Sequence, residues 1–308
     1  MIEATSILLL GLVLLLVGSD LLVTTTERIA NTLSISNFFA SFFLIGIATS
    51  APEIFISIES AIQNQTILAV GNALGSNISN IALVFAISML FLNLDNYNFS
   101  LPTKPFISMI VLSGITFILI FFDKTFTSGD SIILILIFMI SIYFFKSKPQ
   151  DEDDTRSKKY HKSTILFLYL VTSLALLLYG SHLFIQGATE IAIFFGITTY
   201  VIGLTLAALG TSLPELAASI QSARKGKVDF IAGNIIGSNI FNIAIAMTAA
   251  GIINPAFLNN TNLLRDFVVL GFSTFIFYLI IKSKNILKTV YSVVLVIIYL
   301  LYIEYIFK

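Results

Sequence analysis

The sequence contains no cysteine and no tryptophan, six prolines and very little charge: 11% of its 308 residues are Asp, Glu, Lys or Arg, where a soluble domain carries about 25%. Without cysteine there is no disulfide, no thiolate chemistry and no cysteine-ligated metal. The scarcity of charge goes with a hydrophobic content of 57%, which points to an integral membrane protein with the lipid bilayer as its partner. The first ten residues, MIEATSILLL, hold no basic residue, so they read as a retained first helix rather than a secretory signal.

What is present is a sequence written twice. Setting residue n against n+162 without a gap pairs Gly18-Ser19 with Gly180-Ser181, Thr49-Ser50 with Thr211-Ser212, and Pro52-Glu53 with Pro214-Glu215. The register continues through Ser57/Ser219, Gly71-Asn72/Gly233-Asn234, Gly75-Ser76-Asn77/Gly237-Ser238-Asn239 and Asn80/Asn242. Apolar runs long enough to span ~30 Å of hydrocarbon fall near 4–26, 38–62, 67–92, 105–122, 130–146, 164–187, 197–223, 229–253, 266–282 and 287–306. The expected fold is therefore an all-α integral membrane protein of ten transmembrane helices. Five per repeat is an odd number, so the second copy, 164–308, enters the membrane inverted relative to the first, 1–146.

Orientation follows from the positive-inside rule. One set of alternate loops carries 14 Lys and Arg, among them Arg28, Lys104, Arg224 and Lys282, whereas the other carries Lys124, Arg265 and Lys308. Both termini are expected outside the plasma membrane and the 147–163 linker in the cytoplasm. That linker is charged, but its acidic cluster Asp151–Asp154 lacks the glycine and oxygen spacing of a calcium loop, so it reads as a solvated tether.

The chemistry sits where the repeat is tightest. Pro52 and Pro214 fall inside apolar spans, so each should break its helix at the midplane and free a carbonyl about a turn earlier. Thr49 with Glu53, and Thr211 with Glu215, are four apart and share a helix face. A carboxylate at the centre of a span costs roughly 2.5–3.5 kcal/mol on insertion scales, so two of them need a functional reason. The next span adds a polar stripe, Asn72, Ser76 and Asn80, repeated as Asn234, Ser238 and Asn242. The spacings Gly71/Gly75 and Gly233/Gly237 let that stripe press against the broken helix. Taken singly, such glycines, amides and prolines are ordinary helix packing; their joint recurrence at one offset is not. Oxygen donors without histidine or cysteine suit Na⁺ and Ca²⁺ rather than zinc or copper.

These motifs, ATSAPE with GNALGSNISN and GTSLPE with GNIIGSNIFN, resemble the two alpha-repeats of the sodium/calcium exchanger family, within the cation/calcium exchanger superfamily. The resemblance implies an antiporter that exports Ca²⁺ against inward Na⁺, with Glu53 and Glu215 as principal ligands and no covalent cofactor. It also implies that Thr49, Ser50, Thr211, Ser212, Ser76 and Ser238 bind ions or line their sites, with carbonyls of Gly46 and Ala208. Two departures stand out: Asn80 and Asn242 occupy a position where many members have an acid in the second repeat, and Ala48 replaces the usual glycine.

Rival readings remain at this point. Two carboxylates can bind two protons in place of sodium, giving a proton-coupled divalent-cation antiporter. An intramembrane hydrolase using the same pair as acid and base finds no HExxH or Ser-His motif to support it, so no enzyme activity is expected. Neither nucleic acid nor an obligate protein partner is implied. His182 and Asp20 occupy equivalent positions near the Gly-Ser pairs, where His182 has the titration range of a proton relay, a hydrogen bond near an interface being the blander role.

Overall fold

The computed structural model describes residues 1–92, 102–145, 163–197, 208–258, 262–283 and 285–306. Helix α1 (Ile2–Leu33) is followed by a bent pair, α2 (Asn37–Thr49) and α3 (Ala51–Ile62), whose axes differ by 44°. Then come α4 (Thr66–Phe91), α5 (Thr103–Asp123) and α6 (Ser128–Phe144). The second half runs α7 (Ser163–Phe194), the short α8 (Ala208–Thr211) and α9 (Leu213–Arg224), α10 (Val228–Ile253), α11 (Asn262–Lys282) and α12 (Asn285–Ile306). Seven of these helices are long and apolar enough to cross a membrane, and the bent pair makes an eighth. Helix α6, at 17 residues, is shorter, and the span expected at 197–223 is seen only from 208 onward.

Two features differ from the sequence reading. A pair of two-residue strands, β1 (Thr125–Phe126) and β2 (Ala256–Phe257), join antiparallel, so the described body is not purely helical. They tie the α5–α6 connection to the α10–α11 connection, where backbone groups outside a helix need partners. Helices α1 and α7 also run seven residues beyond their apolar windows. Glu27, Arg28 and Glu190 end the hydrophobic run without breaking the helix, and α1 stops at Ser34, whose left-handed φ of 54° forms the C-cap. At 1.5 Å per residue, 32 residues reach ~48 Å, so both rods exceed the hydrocarbon thickness.

The centre belongs to α4 and α10. Their apolar windows are 72% and 83% buried, against 33% for α1 and 22% for α7, so the first two form the core and the last two lie outside it. Aromatic contacts seal the core on both sides, with Phe85 and Phe277 ring centroids 4.2 Å apart and Phe42 and Phe241 5.2 Å apart. Gly233 and Gly237 permit this closeness: a Cβ there would stand 2.7 Å from the Phe38 carbonyl and 2.6 Å from that of Phe42. The corresponding approach at Gly71 and Gly75 has no described neighbour within 4 Å, and residues 200–204, equivalent to 38–42, lie outside the described residues.

Helices α1 and α7 pack antiparallel along one another through glycines, Gly11 against Gly180 and Phe184, Gly18 against Leu177, and Gly187 against Leu8. Charge ties this pair to the core. Lys225, in the α9–α10 turn, pairs with Asp20 at 2.7 Å and donates to Thr24 at 2.6 Å, while Lys227 pairs with Glu27. Asp20 also accepts from Gln221, so it is a structural anchor; His182 is exposed on α7.

Candidate functional site

Each half places its glutamate in the same way. Ser50 (φ −81°, ψ 2°) and Ser212 (φ −88°, ψ 1°) depart from helical geometry, and the chain restarts with proline at the beginning of α3 and α9. Proline suits a first turn, where its missing N–H needs no partner. Glu53 and Glu215 then fall in that turn, at the positive end of the helix dipole, which favours a carboxylate. Both side chains are 0% exposed.

The family resemblance implies the Gly46 carbonyl as a ligand. That carbonyl instead accepts the Ser50 N–H at 3.2 Å and the Ser238 hydroxyl at 3.3 Å, because the distortion begins after Thr49 and leaves the preceding turn intact. In this conformation Gly46 is therefore not a free ligand. Ala208, at the position equivalent to Gly46, opens α8.

The polar stripe divides its work. Asn72 donates to the Glu53 carbonyl (3.2 Å) and to Ser57 (3.3 Å), and Asn234 donates to the Glu215 carbonyl (3.2 Å) and to Ser219 (2.8 Å). Asn72 turns its nitrogen toward α3 and Asn234 toward α9, and so they bracket the turns that carry the acids. The Asn234 oxygen lies 3.2 Å from the Thr49 hydroxyl, whose single proton also has the Ile45 carbonyl (3.0 Å) and Ser238 (3.3 Å) within reach. Ser76 donates to Glu53 Oε1 at 3.4 Å. Thr211 stands beside the Glu53 carboxylate and Thr49 beside that of Glu215, and the two acids are close enough to feel each other's charge. The two repeats thus meet in one site.

Several oxygens in that site are buried without a partner: one carboxylate oxygen of Glu53, both of Glu215, the hydroxyls of Ser50 and Ser212, and the amide oxygens of Asn80 and Asn242. The residues pair at the 162-residue offset, the one difference being that the second Glu53 oxygen accepts from Ser76. An unsatisfied buried acceptor costs about 1–3 kcal/mol, so seven of them call for positive charge. No cluster of three or more His, Cys, Asp and Glu occurs among the described residues; the donor set is two carboxylates completed by neutral oxygens, as hard cations require. A separate apolar cleft of about 590 Å³ between α5 and α11, lined by Phe106, Gly114, Phe117, Phe267, Gly271 and Tyr278, has none of this chemistry.

Four residues of the site were not singled out as functional by the sequence: Ser57, Ser219, Asn77 and Asn239. The signal for them was the repeat itself, since all four recur at the common offset. Asn80 and Asn242 sit where α4 and α10 widen into π turns (Asn80–Phe85 and Asn242–Met247), a distortion frequent at functional sites.

The model of the family described as sodium/calcium exchanger protein matches residues 3–146 and 165–308. CaxA of Alkalimonas amylolytica is 36% identical over 289 residues, covering 89% of this chain and 88% of its own. The sodium/calcium exchanger MaX1 of Methanosarcina acetivorans is 30% identical over 291 residues, covering 81% of this chain and 83% of its own. A solved structure of the sodium-calcium exchanger NCX_Mj, soaked with zero Na⁺ and Ca²⁺, matches with a TM-score of 0.81 at 29% identity and covers 99% of both chains. With both halves matched and the apolar helices in place, this chain is an integral membrane protein that belongs to the sodium/calcium exchanger family.

Proposed function

We propose that this protein is a secondary antiporter that exchanges Na⁺ for Ca²⁺ by alternating access and exports Ca²⁺ from the cell. One observation carries the reading: two fully buried glutamates, one from each repeat, keep three unpartnered carboxylate oxygens. The buried oxygens of Ser50, Ser212, Asn80 and Asn242, on the same broken helices and their neighbours, are unpartnered as well. Glu53 and Glu215 are the principal ligands, and Ser50, Ser212, Asn80 and Asn242 offer the free neutral oxygens. Thr49, Thr211, Ser76 and Ser238 line the site, while Asn72 and Asn234 hold the turns that present the acids. Na⁺ and Ca²⁺ compete for these oxygens. A loaded site is neutralised and free to reorient, whereas an empty dianionic one is costly to carry through apolar surroundings, so the design favours exchange over leak.

The architecture that serves this function is two inverted five-helix repeats, 1–146 and 164–308, with both termini outside the plasma membrane and the 147–163 linker in the cytoplasm. Helices α1 and α7 carry none of the ligands and pack outside the core, which suits a gate that slides across the site.

The test is ⁴⁵Ca²⁺ uptake into Na⁺-loaded proteoliposomes, with Na⁺, K⁺ and pH gradients imposed one at a time. Uptake driven by the Na⁺ gradient alone is the expected result. Uptake that follows a pH gradient in Na⁺-free buffer would replace it with the proton-coupled antiporter, which the same two carboxylates can serve.

A further inference from the structure

The Asn80 and Asn242 amides can present either an oxygen, which binds a cation, or an NH₂ group, which repels one. The structure shows what decides between them. Asn80 Nδ2 donates to Asn239 Oδ1 at 3.2 Å, and Asn242 Nδ2 donates to Asn77 Oδ1 at 3.1 Å. The two bonds are equivalent under the 162-residue offset and each crosses from one repeat to the other. All four side chains are 0–1% exposed, so water does not compete. With both nitrogens occupied, both oxygens are left without a partner.

We propose that Asn77 and Asn239 are positioning residues, each locking the ligand amide of the opposite repeat with its oxygen toward the cation. This rests on the cation-exchange reading above and adds to it the residues that set ligand orientation. On the Asn77 side the chain of donors starts from a group that cannot turn over: Asn77 Nδ2 donates to the Asn239 main-chain carbonyl at 3.1 Å. That bond forces Asn77 Oδ1 toward Asn242, which must answer with its nitrogen. Were Asn242 reversed, two acceptor oxygens would face each other.

The opposite side is held more weakly. Asn239 Nδ2 has Met109 Sδ at 3.6 Å, and a thioether is a weak acceptor. The position equivalent to Met109 is Gly271, which offers no side chain at all, so the asymmetry is written in the sequence. The Asn242 oxygen is therefore the firmly oriented ligand and the Asn80 oxygen the looser one. Partners behind metal ligands commonly matter at this level, since their removal costs about 10–100-fold in affinity.

The experiment is a double-mutant cycle read as the Ca²⁺ concentration for half-maximal exchange in proteoliposomes. Asn77→Leu should raise that concentration by about tenfold or more. In an Asn242→Asp background the same substitution should have little effect, because a carboxylate presents oxygen whichever way it is turned. Comparing ratios within each background cancels the general gain in affinity from the added charge. An Asn77→Leu effect that is absent, or equal in both backgrounds, overturns the proposal. A wild-type protein that does not exchange overturns the antiporter reading instead. If Asn77→Leu does not fold, as judged by gel filtration and melting, Met109→Leu with Asn80→Asp decides. A smaller rise with Met109→Leu, abolished by Asn80→Asp, supports the lock, and no rise, or one unchanged by Asn80→Asp, overturns it.

Discussion

Glu215 is 0% exposed with neither carboxylate oxygen bonded. The first-turn dipole of α9 helps such a charge, but by no more than about 2 kcal/mol, so without a cation the site weakens the fold. Adding Ca²⁺ or Na⁺ should therefore raise the melting temperature of the purified protein, and chelation in Na⁺-free buffer should lower it. A ligand at 100 times its dissociation constant contributes about 2.7 kcal/mol. Glu215→Gln should lose this ion-dependent shift while melting no lower than the ion-free wild type, because a neutral amide is less costly to bury than an unpaired charge. A Glu215→Gln protein that keeps the full Ca²⁺-induced shift would remove this residue from the site. The acids and hydroxyls were legible in the sequence because polar groups recurring in apolar spans have few structural explanations. The direction of each amide was not. Four-residue spacing puts Asn72 on the face of Ser76, yet says nothing about whether nitrogen or oxygen leads, and it gives no sign that Asn77, one residue off the stripe, reaches across to the other repeat.

Between elements, α1 and α7 approach each other through glycine. A Cβ at Gly11 would lie 2.4 Å from the Phe184 nitrogen, and one at Gly187 would lie 2.5 Å from that of Leu8, both backbone atoms with nowhere to move unless the helices separate. Gly11→Leu should therefore destabilise the protein by about 1–3 kcal/mol, as overpacking does. Gly114→Leu, where no atom lies within 4 Å, should leave the melting temperature unchanged or slightly raised, since glycine costs about 1 kcal/mol in a helix interior. Equal melting of the two variants would show that α1 and α7 do not depend on this contact. Eight of the spans were readable from apolar length, and the proline breaks from their position inside a span. Helix ends were less so: an apolar window closes at the first charges, whereas α1 continues past Glu27 because nothing there prevents helical geometry. The π turns at Asn80 and Asn242 left no mark in the sequence, since a widened turn depends on what the helix packs against.

For the whole molecule, net charge decides what the membrane potential can drive. The proposed site brings two glutamates, and in that reading Asn80 and Asn242 contribute dipoles where an additional acid would have brought charge. With both glutamates ionised, bound Ca²⁺ makes the loaded site neutral, so its reorientation moves no net charge across the bilayer. A full uncompensated charge would feel about 2.3 kcal/mol per 100 mV, enough to alter a rate by tens of fold. Exchange of ⁴⁵Ca²⁺ for unlabelled Ca²⁺ in Na⁺-free vesicles, clamped at 0 and then −100 mV with a K⁺ gradient and valinomycin, should therefore proceed at the same rate at both potentials. A tens-fold change would refute the count of two acids. The Na⁺ limb then reports the coupling ratio against this neutral reference. Two Na⁺ also neutralise the pair and leave net exchange indifferent to voltage; a third carries one charge, stabilised only by the Asn80 and Asn242 dipoles, and makes Na⁺-driven Ca²⁺ flux voltage-dependent while self-exchange stays flat.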